Sequence, residues 1–173
     1  MSLAIALLTV SDTRTLADDL SGEALRQRLE TAGHCLLERA IVPDDRYRIR
    51  AEVSRWIADP HVQVVITTGG TGLAGRDGTP EAVEPLLDKR MDGFGELFRV
   101  LSFETIGTST LQSRCLAGVA NGTLVFVLPG SQDAVETAWD RLISAQLDAN
   151  TRPCNLVQLV PRLREAANQP APP

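Results

Sequence analysis

The sequence contains a single lysine, Lys89. That excludes the P-loop mode of phosphate binding, because a GxxxxGK[ST] loop needs a lysine directly after its last glycine. Cysteine is scarce as well. Cys35, Cys115 and Cys154 are too scattered for a metal motif and too few for a secreted disulfide framework, so idle or buried thiols are expected. No apolar run approaches the roughly 20 residues that a membrane span needs. Nor does any early segment combine a basic start, an apolar run and a small-residue cleavage site, and the expected location is the cytoplasm. Positive charge is in deficit, with 17 Lys and Arg against 22 Asp and Glu and a net charge of −5. A general nucleic-acid binder would show the opposite balance, since a phosphate backbone is held by clustered positive charge. Every basic residue but Lys89 is arginine, so anionic ligands will be met mostly by forked guanidinium groups.

What remains is the composition of an ordinary soluble domain, 173 residues with 43% hydrophobic and 23% charged, long enough for a sizeable core. Residues 3–10 form an apolar run of strand length, and Ser11 and Asp12 stand at its carboxyl end, where open parallel sheets place ligand sites. A simple Asx-type turn would account for the same two residues. Leu25, Leu29 and Ala32 recur at helical spacing over 20–32, with Gly33 as a C-terminal cap. Strand length returns at 35–42. Pro43 ends that strand, and Asp44 is expected to cap a helix that buries Ile49, Val53, Trp56 and Ile57. Asp59 and Pro60 close it, and 62–67 is the next strand. Strand and helix in strict alternation predict an α/β fold, a three-layer, doubly wound, mostly parallel sheet with helices on both faces.

The stretch 64–81, VVITTGGTGLAGRDGTPE, organises the rest. An uncharged β-branched strand runs into Gly69, Gly70, Gly72, Gly75 and Gly78, a backbone that can approach a ligand closely. Thr79, Pro80 and Glu81 read as a helix start, with Thr79 as the capping hydroxyl. Amides and the positive end of a helix dipole would then converge on an anion, with Thr67, Thr68 and Thr71 adding hydroxyls and Asp77 an acid. The pattern points to a phosphate-bearing ligand without naming it.

Helical segments are expected at 80–87 and at 93–103, the second with Phe94, Leu97, Leu101 and Phe103 inward. Glu96 on that segment would by itself be a solvated acid. Arg114, flanked by hydroxyls including Ser113, suits a phosphate, although a solvated loop would look much the same. Asn121-Gly122 between apolar runs predicts an antiparallel edge hairpin. LPGS at 128–131 repeats the device of the glycine loop, with Ser131 capping a helix, so that two adjacent helix starts could hold the two ends of a phosphorylated ligand.

TTGGTG followed by an aspartate and TPE resembles the signature of the molybdopterin-binding family of molybdenum cofactor biosynthesis, of the MoaB and MogA type. The likeness extends through LLTVSD at 7–12, IVPDD at 41–45, MDGFGELFR at 91–99, STLQSR at 109–114 and LPGS, and covers roughly residues 3–155. The remaining 156–173 read as a C-terminal extension with little helical periodicity past Arg164 and a proline-rich end, 170–173, expected to be disordered.

The resemblance implies an enzyme that transfers AMP from ATP to the terminal phosphate of molybdopterin, releasing pyrophosphate with Mg²⁺ assisting. It implies Asp44 and Asp77 as catalytic carboxylates that hold Mg²⁺ directly or through water. Thr68, Gly69, Gly70, Thr71 and Gly72, with Ser11 and Asp12, would hold the nucleotide and its phosphates. Glu96, Ser113, Arg114, Pro129, Gly130 and Ser131 would hold the pterin. A homotrimer or homohexamer is implied, along with contact with other proteins of the pathway. The alternative is a molybdopterin-binding carrier or scaffold without catalysis, since fold alone does not decide chemistry; retention of both Asp44 and Asp77 favours the enzyme. An unrelated nucleotide-binding α/β protein would leave six separate motif matches to one family unexplained.

Overall fold

The computed structural model describes residues 1–167. Strands β1 (Ala4–Val10), β2 (Cys35–Val42), β3 (Val64–Thr68), β4 (Lys89–Arg90), β5 (Leu116–Ala120) and β6 (Thr123–Leu128) form one sheet in the order β2-β1-β3-β6-β5-β4. The first four in that order are mutually parallel, whereas β5 runs antiparallel to β6 and β4 antiparallel to β5. The expected edge hairpin is therefore present, turning at Asn121 and Gly122, both with positive φ. The two-residue β4 was not anticipated; it is short, polar and exposed, and carries no alternation to detect.

Side chains of successive strand residues point to opposite faces, and the two faces are covered by different helices. Leu3, Ile5 and Leu7 pack with α1 (Leu20–Thr31), α4 (Asp92–Ile106) and α5 (Gln132–Ala138). The chain continues from α5 through a π-helical turn at Trp139–Ile143 into α6 (Ser144–Gln146). Ala6, Leu8 and Val10 pack on the other side with α2 (Arg46–Ala58) and α3 (Thr79–Val83). This is the predicted three-layer arrangement. Among the described residues no helix is long and apolar enough to cross a membrane.

Several local expectations shift. Asp45, not Asp44, caps α2 by accepting from the amides of Tyr47 and Arg48 at 3.0 and 2.9 Å. Ile57 is only partly buried on that helix. On α4 the inward residues are Phe94, Phe98 and Ser102, while Leu97 and Phe103 are more than half exposed. Both sides of α4 are apolar, so periodicity alone could not fix its rotation. The C-terminal extension docks on the body: Val157 and Val160 join the main core, and α7 (Val160–Ala167) continues past Arg164. The expected disorder of 170–173 falls outside the described residues.

Candidate active site

Four parallel strands end on one edge of the sheet, and each delivers a piece of the site. After β1 come Ser11 and Asp12, after β2 Pro43 and Asp44, after β3 the glycine loop, and after β6 the turn Pro129-Gly130-Ser131. Ligands bind at this edge in open α/β sheets because the strand order reverses there and leaves a crevice.

Gly69 and Gly70 take φ of +99° and +64°. A side chain at Gly69 would run into the Val10 carbonyl, and one at Gly70 into the Thr79 hydroxyl and within 3.0 Å of Asp44 Oδ2. The loop is pinned from below. The Gly69 amide donates to the Leu128 carbonyl at 3.1 Å, and the Thr68 hydroxyl to the Pro129 carbonyl at 2.8 Å. Thr79 is not a cap: its buried hydroxyl donates to the Gly69 carbonyl at 2.8 Å and its amide to the Gly70 carbonyl at 3.0 Å. Among the described residues the amides of Gly70, Thr71 and Gly72 meet no protein acceptor, which leaves three donors in sequence for a ligand.

The helix start after the loop contributes less than expected. α3 is five residues long, and the Gly78 amide ahead of it is taken by Asp44 Oδ1 at 3.3 Å. Asp44 therefore reaches over the loop, with its backbone amide held by Asp12 Oδ1 at 3.1 Å. Burial, and then the negative charges of Asp77 and Asp12, raise the Asp44 carboxyl above its ordinary range against the opposing pull of the Gly78 amide and Arg76. Arg76 spans the mouth, donating to Asp12 Oδ1 and to the Asp44 carbonyl, both at 3.2 Å. Sequence reading missed it because it is one more arginine in a glycine-rich loop. Ser11 shapes its own turn by accepting from the amides of Thr13 and Arg14.

Two expected ligand groups are engaged elsewhere. Asp77 Oδ2 accepts from the Ala74 amide at 2.9 Å and packs against Gly72, so the carboxylate shapes the loop as well as adding charge beside Asp44. The Arg114 guanidinium donates to the carbonyls of Thr71, Gly72 and Asp77 and forms an ion pair with Glu81. It braces the loop from behind, and its fork is occupied by the protein. The same ion pair holds Glu81 below its ordinary range despite burial, which acts to raise it.

Beside the loop lies a cavity of about 300 Å³. Its apolar wall is Phe98, Ile106, Pro129 and Ala134, and Ser102, Thr105, Ser109 and Thr137 supply hydroxyls. Thr71, Gly72, Ser113 and Ser131 of the expected site line it too. The α4 contributions were missed, although Phe98, Ser102 and Thr105 follow one helical face at i, i+4 and i+7 and could have been read as a polar-lined stripe. Ser131 also caps α5, accepting from the Ala134 amide at 3.3 Å. Gly130 lines a smaller cavity of about 100 Å³ together with Ser11, Thr68 and Gly69, and its carbonyl accepts from Ser21 at 2.8 Å. Glu96 is not brought in. Two residues from Phe98 it projects from another side of α4, into a separate cavity with Arg90, Arg99 and Cys115. Cys115 is buried, and burial pushes its thiol up; Cys35 and Cys154 are exposed, and all three are free.

A doubly wound sheet with this loop at its carboxyl edge places the chain in a known group. It belongs to the family described as "Probable molybdopterin binding domain", whose model matches residues 6–149. The chain is similar to molybdenum cofactor biosynthesis protein B of Escherichia coli K12, with 60% identity over 151 residues that cover 87% of this chain and 89% of the relative. The protein of the same name from Staphylococcus aureus Mu50 is 46% identical over 146 residues, 83% of this chain and 86% of that one. A crystal structure of a molybdenum cofactor biosynthesis protein B superposes with a TM-score of 0.86 at 38% identity, covering 95% of this chain and 98% of the other. The tungsten cofactor synthesizing protein MoaB of Pyrococcus furiosus follows with 0.77 at 33% identity, covering 94% and 98%.

Proposed function

We propose that this protein acts in molybdenum cofactor biosynthesis by adenylylating molybdopterin. A terminal phosphate oxygen of the pterin attacks the α-phosphorus of ATP, the new P–O bond forms, and the bond to the β-phosphate oxygen breaks to release pyrophosphate. The nucleophile is already ionised near neutral pH, so the protein must position two anions and offset their repulsion. No general base is required.

One observation carries this reading: the amides of Gly70, Thr71 and Gly72 are unpartnered, and a side chain at Gly70 would come within 3.0 Å of the partly buried Asp44 carboxylate, which has Asp77 and Asp12 as negative neighbours. Amides alone would suit any phosphate. A carboxylate beside a phosphate is unfavourable unless a cation lies between them. Among the described residues no group of three or more His, Cys, Asp or Glu could enclose a metal unaided. That donor set fits Mg²⁺, which takes one or two carboxylates and completes its shell with substrate phosphates and water. Asp44 and Asp77 would hold it, and the ion would neutralise the ATP phosphates. The chain's own work is to cradle phosphate on the Gly70, Thr71 and Gly72 amides, keep the loop rigid through Arg114 and Thr79, and seat the pterin in the adjoining cavity.

A carrier or scaffold reading is favoured by the bond from the Ala74 amide to Asp77 Oδ2, which gives that carboxylate a structural job. Incubation with ATP, Mg²⁺ and molybdopterin distinguishes the two readings. Adenylylated pterin and pyrophosphate are expected; bound pterin without product would establish the carrier.

A further inference from the structure

The cavity beside the glycine loop has an uneven charge distribution. Among the described residues lining it there is no arginine, lysine or histidine, and the one charged group is Asp133, at the start of α5. Two adjacent helix starts were expected to hold the two ends of a phosphorylated ligand, and this one presents a carboxylate. A triphosphate would be repelled there. No described residue donates a hydrogen bond to the Asp133 carboxylate, which stands exposed at the mouth. With it are Phe98, Ile106 and Ala134 as apolar surface and seven hydroxyl-bearing side chains as adaptable partners. Such a lining, at the small end of the ~300–1,000 Å³ typical of ligand pockets, suits a neutral, flat, heteroatom-rich ring.

We infer that Asp133 determines which ring this cavity takes, by accepting two parallel N–H bonds from the 2-amino group and N3 of the pterin. The inference rests on the function proposed above. A carboxylate matches that 2-amino-4-oxo edge, where two donors lie side by side. Adenine offers no such edge, because its N1 is an acceptor beside the 6-amino donor and would face the carboxylate lone pair to lone pair. The phosphate end of the same ligand is provided for: Thr71 and Gly72 line the cavity, and their amides are free for it. ATP is thereby left the strand ends that do not line this cavity, with Ser11 and Asp12 after β1 and Asp44 after β2. Guanine presents the same pair of donors on its 2-amino-6-oxo edge, so the test must separate the two rings.

Full-length protein is titrated with molybdopterin, ATP and GMP, and with the simpler pair pterin and lumazine, which differ in the 2-amino group. Asp133→Ala should weaken molybdopterin at least about tenfold while leaving ATP affinity within twofold, because hydrogen bonds to a charged group are the stronger kind. Wild type should prefer pterin to lumazine, and the variant should lose that preference. Asp133→Asn, which keeps the shape and one acceptor, should fall between, and unchanged circular dichroism excludes misfolding as the cause. Unaltered molybdopterin affinity in Asp133→Ala, or a surviving preference for pterin, would overturn the assignment of Asp133 and leave the proposed function standing. GMP displacing molybdopterin at equal concentration would reassign the cavity to a guanine nucleotide. A wild-type chain that binds no pterin would overturn the function itself.

Discussion

The carbonyl of Gly72 accepts two hydrogen bonds from Arg114, from Nε at 3.0 Å and from Nη2 at 2.7 Å. Since the same guanidinium also holds the Asp77 carbonyl at 2.9 Å, it fastens both ends of the loop's outer segment. Replacing it with alanine should therefore destabilise the fold by about 2–3 kcal/mol, the scale of charged hydrogen bonds. Lysine restores charge without the fork and should recover little. Backbone hydrogen exchange across residues 70–78 is the direct readout. Unchanged exchange together with weakened ligand binding would show that Arg114 meets the ligand instead.

Asp44 and Asp77 are expected to divide the electrostatic work. Asp44→Asn removes the carboxylate above the loop, and turnover under saturating Mg²⁺ should fall about a hundredfold with pterin affinity nearly constant. Asp77→Asn can still accept from Ala74, so the loop survives and a comparable loss would be electrostatic. Near-wild-type turnover for Asp77→Asn would restrict that residue to turning the chain.

A pH effect follows from the crowding of carboxylates. Protons compete with a cation for Asp44, so activity should rise with pH through its raised pKa. Asp12→Asn removes one of the negative neighbours responsible, which lowers the Asp44 pKa. The acid limb of the pH–rate profile should then move to lower pH. A shift to higher pH, or none, would count against Asp44 as the titrating group.

Stability has its own pH window. Glu23 is pulled from 4.5 to about 2 by hydrogen bonds from Arg26, then Gln27 and Arg39. A lowered carboxylate contributes stability above its unfolded pKa and loses it as pH falls through the folded one. Urea midpoints should therefore decline between about pH 4.5 and 2, and decline less in Glu23→Gln. Because the group is solvent-exposed the difference should be modest.

Assembly is the last expectation. Leu97, Val100, Phe103 and Ile106 on α4 are 55%, 62%, 57% and 54% exposed, an apolar stripe uncovered by its own chain. A closed oligomer built on threes is expected. Light scattering should show it for wild type and a smaller species for Phe103→Asp; a wild-type monomer at micromolar concentration would end the idea.

Much of the fold was legible because strands β1, β3 and β6 are uncharged, mostly apolar runs and Asn121-Gly122 is a strong turn signal. The loop was legible for a similar reason, since five glycines after a strand have few other uses. Rotations were not. Asp44 and Asp45 are adjacent acids before one helix, and only geometry shows that the second caps and the first faces the loop. On α4, apolar residues on both sides hid which face was core and turned Glu96 away from the pocket. Arg114 was recognised as important while its acceptors, carbonyls some forty positions back, carry no sequence mark.

Helix α4 presents Phe98, Ser102 and Thr105 to the ligand cavity and the Leu97–Phe103 side to solvent, with Ile106 belonging to both. The wall of the cavity and the apolar surface on which assembly is expected thus belong to one helix. Whatever seats against the outer side steadies the inner one, and dilution that removes it should loosen the pocket. Ligand affinity would then depend on protein concentration, with occupancy and association thermodynamically linked.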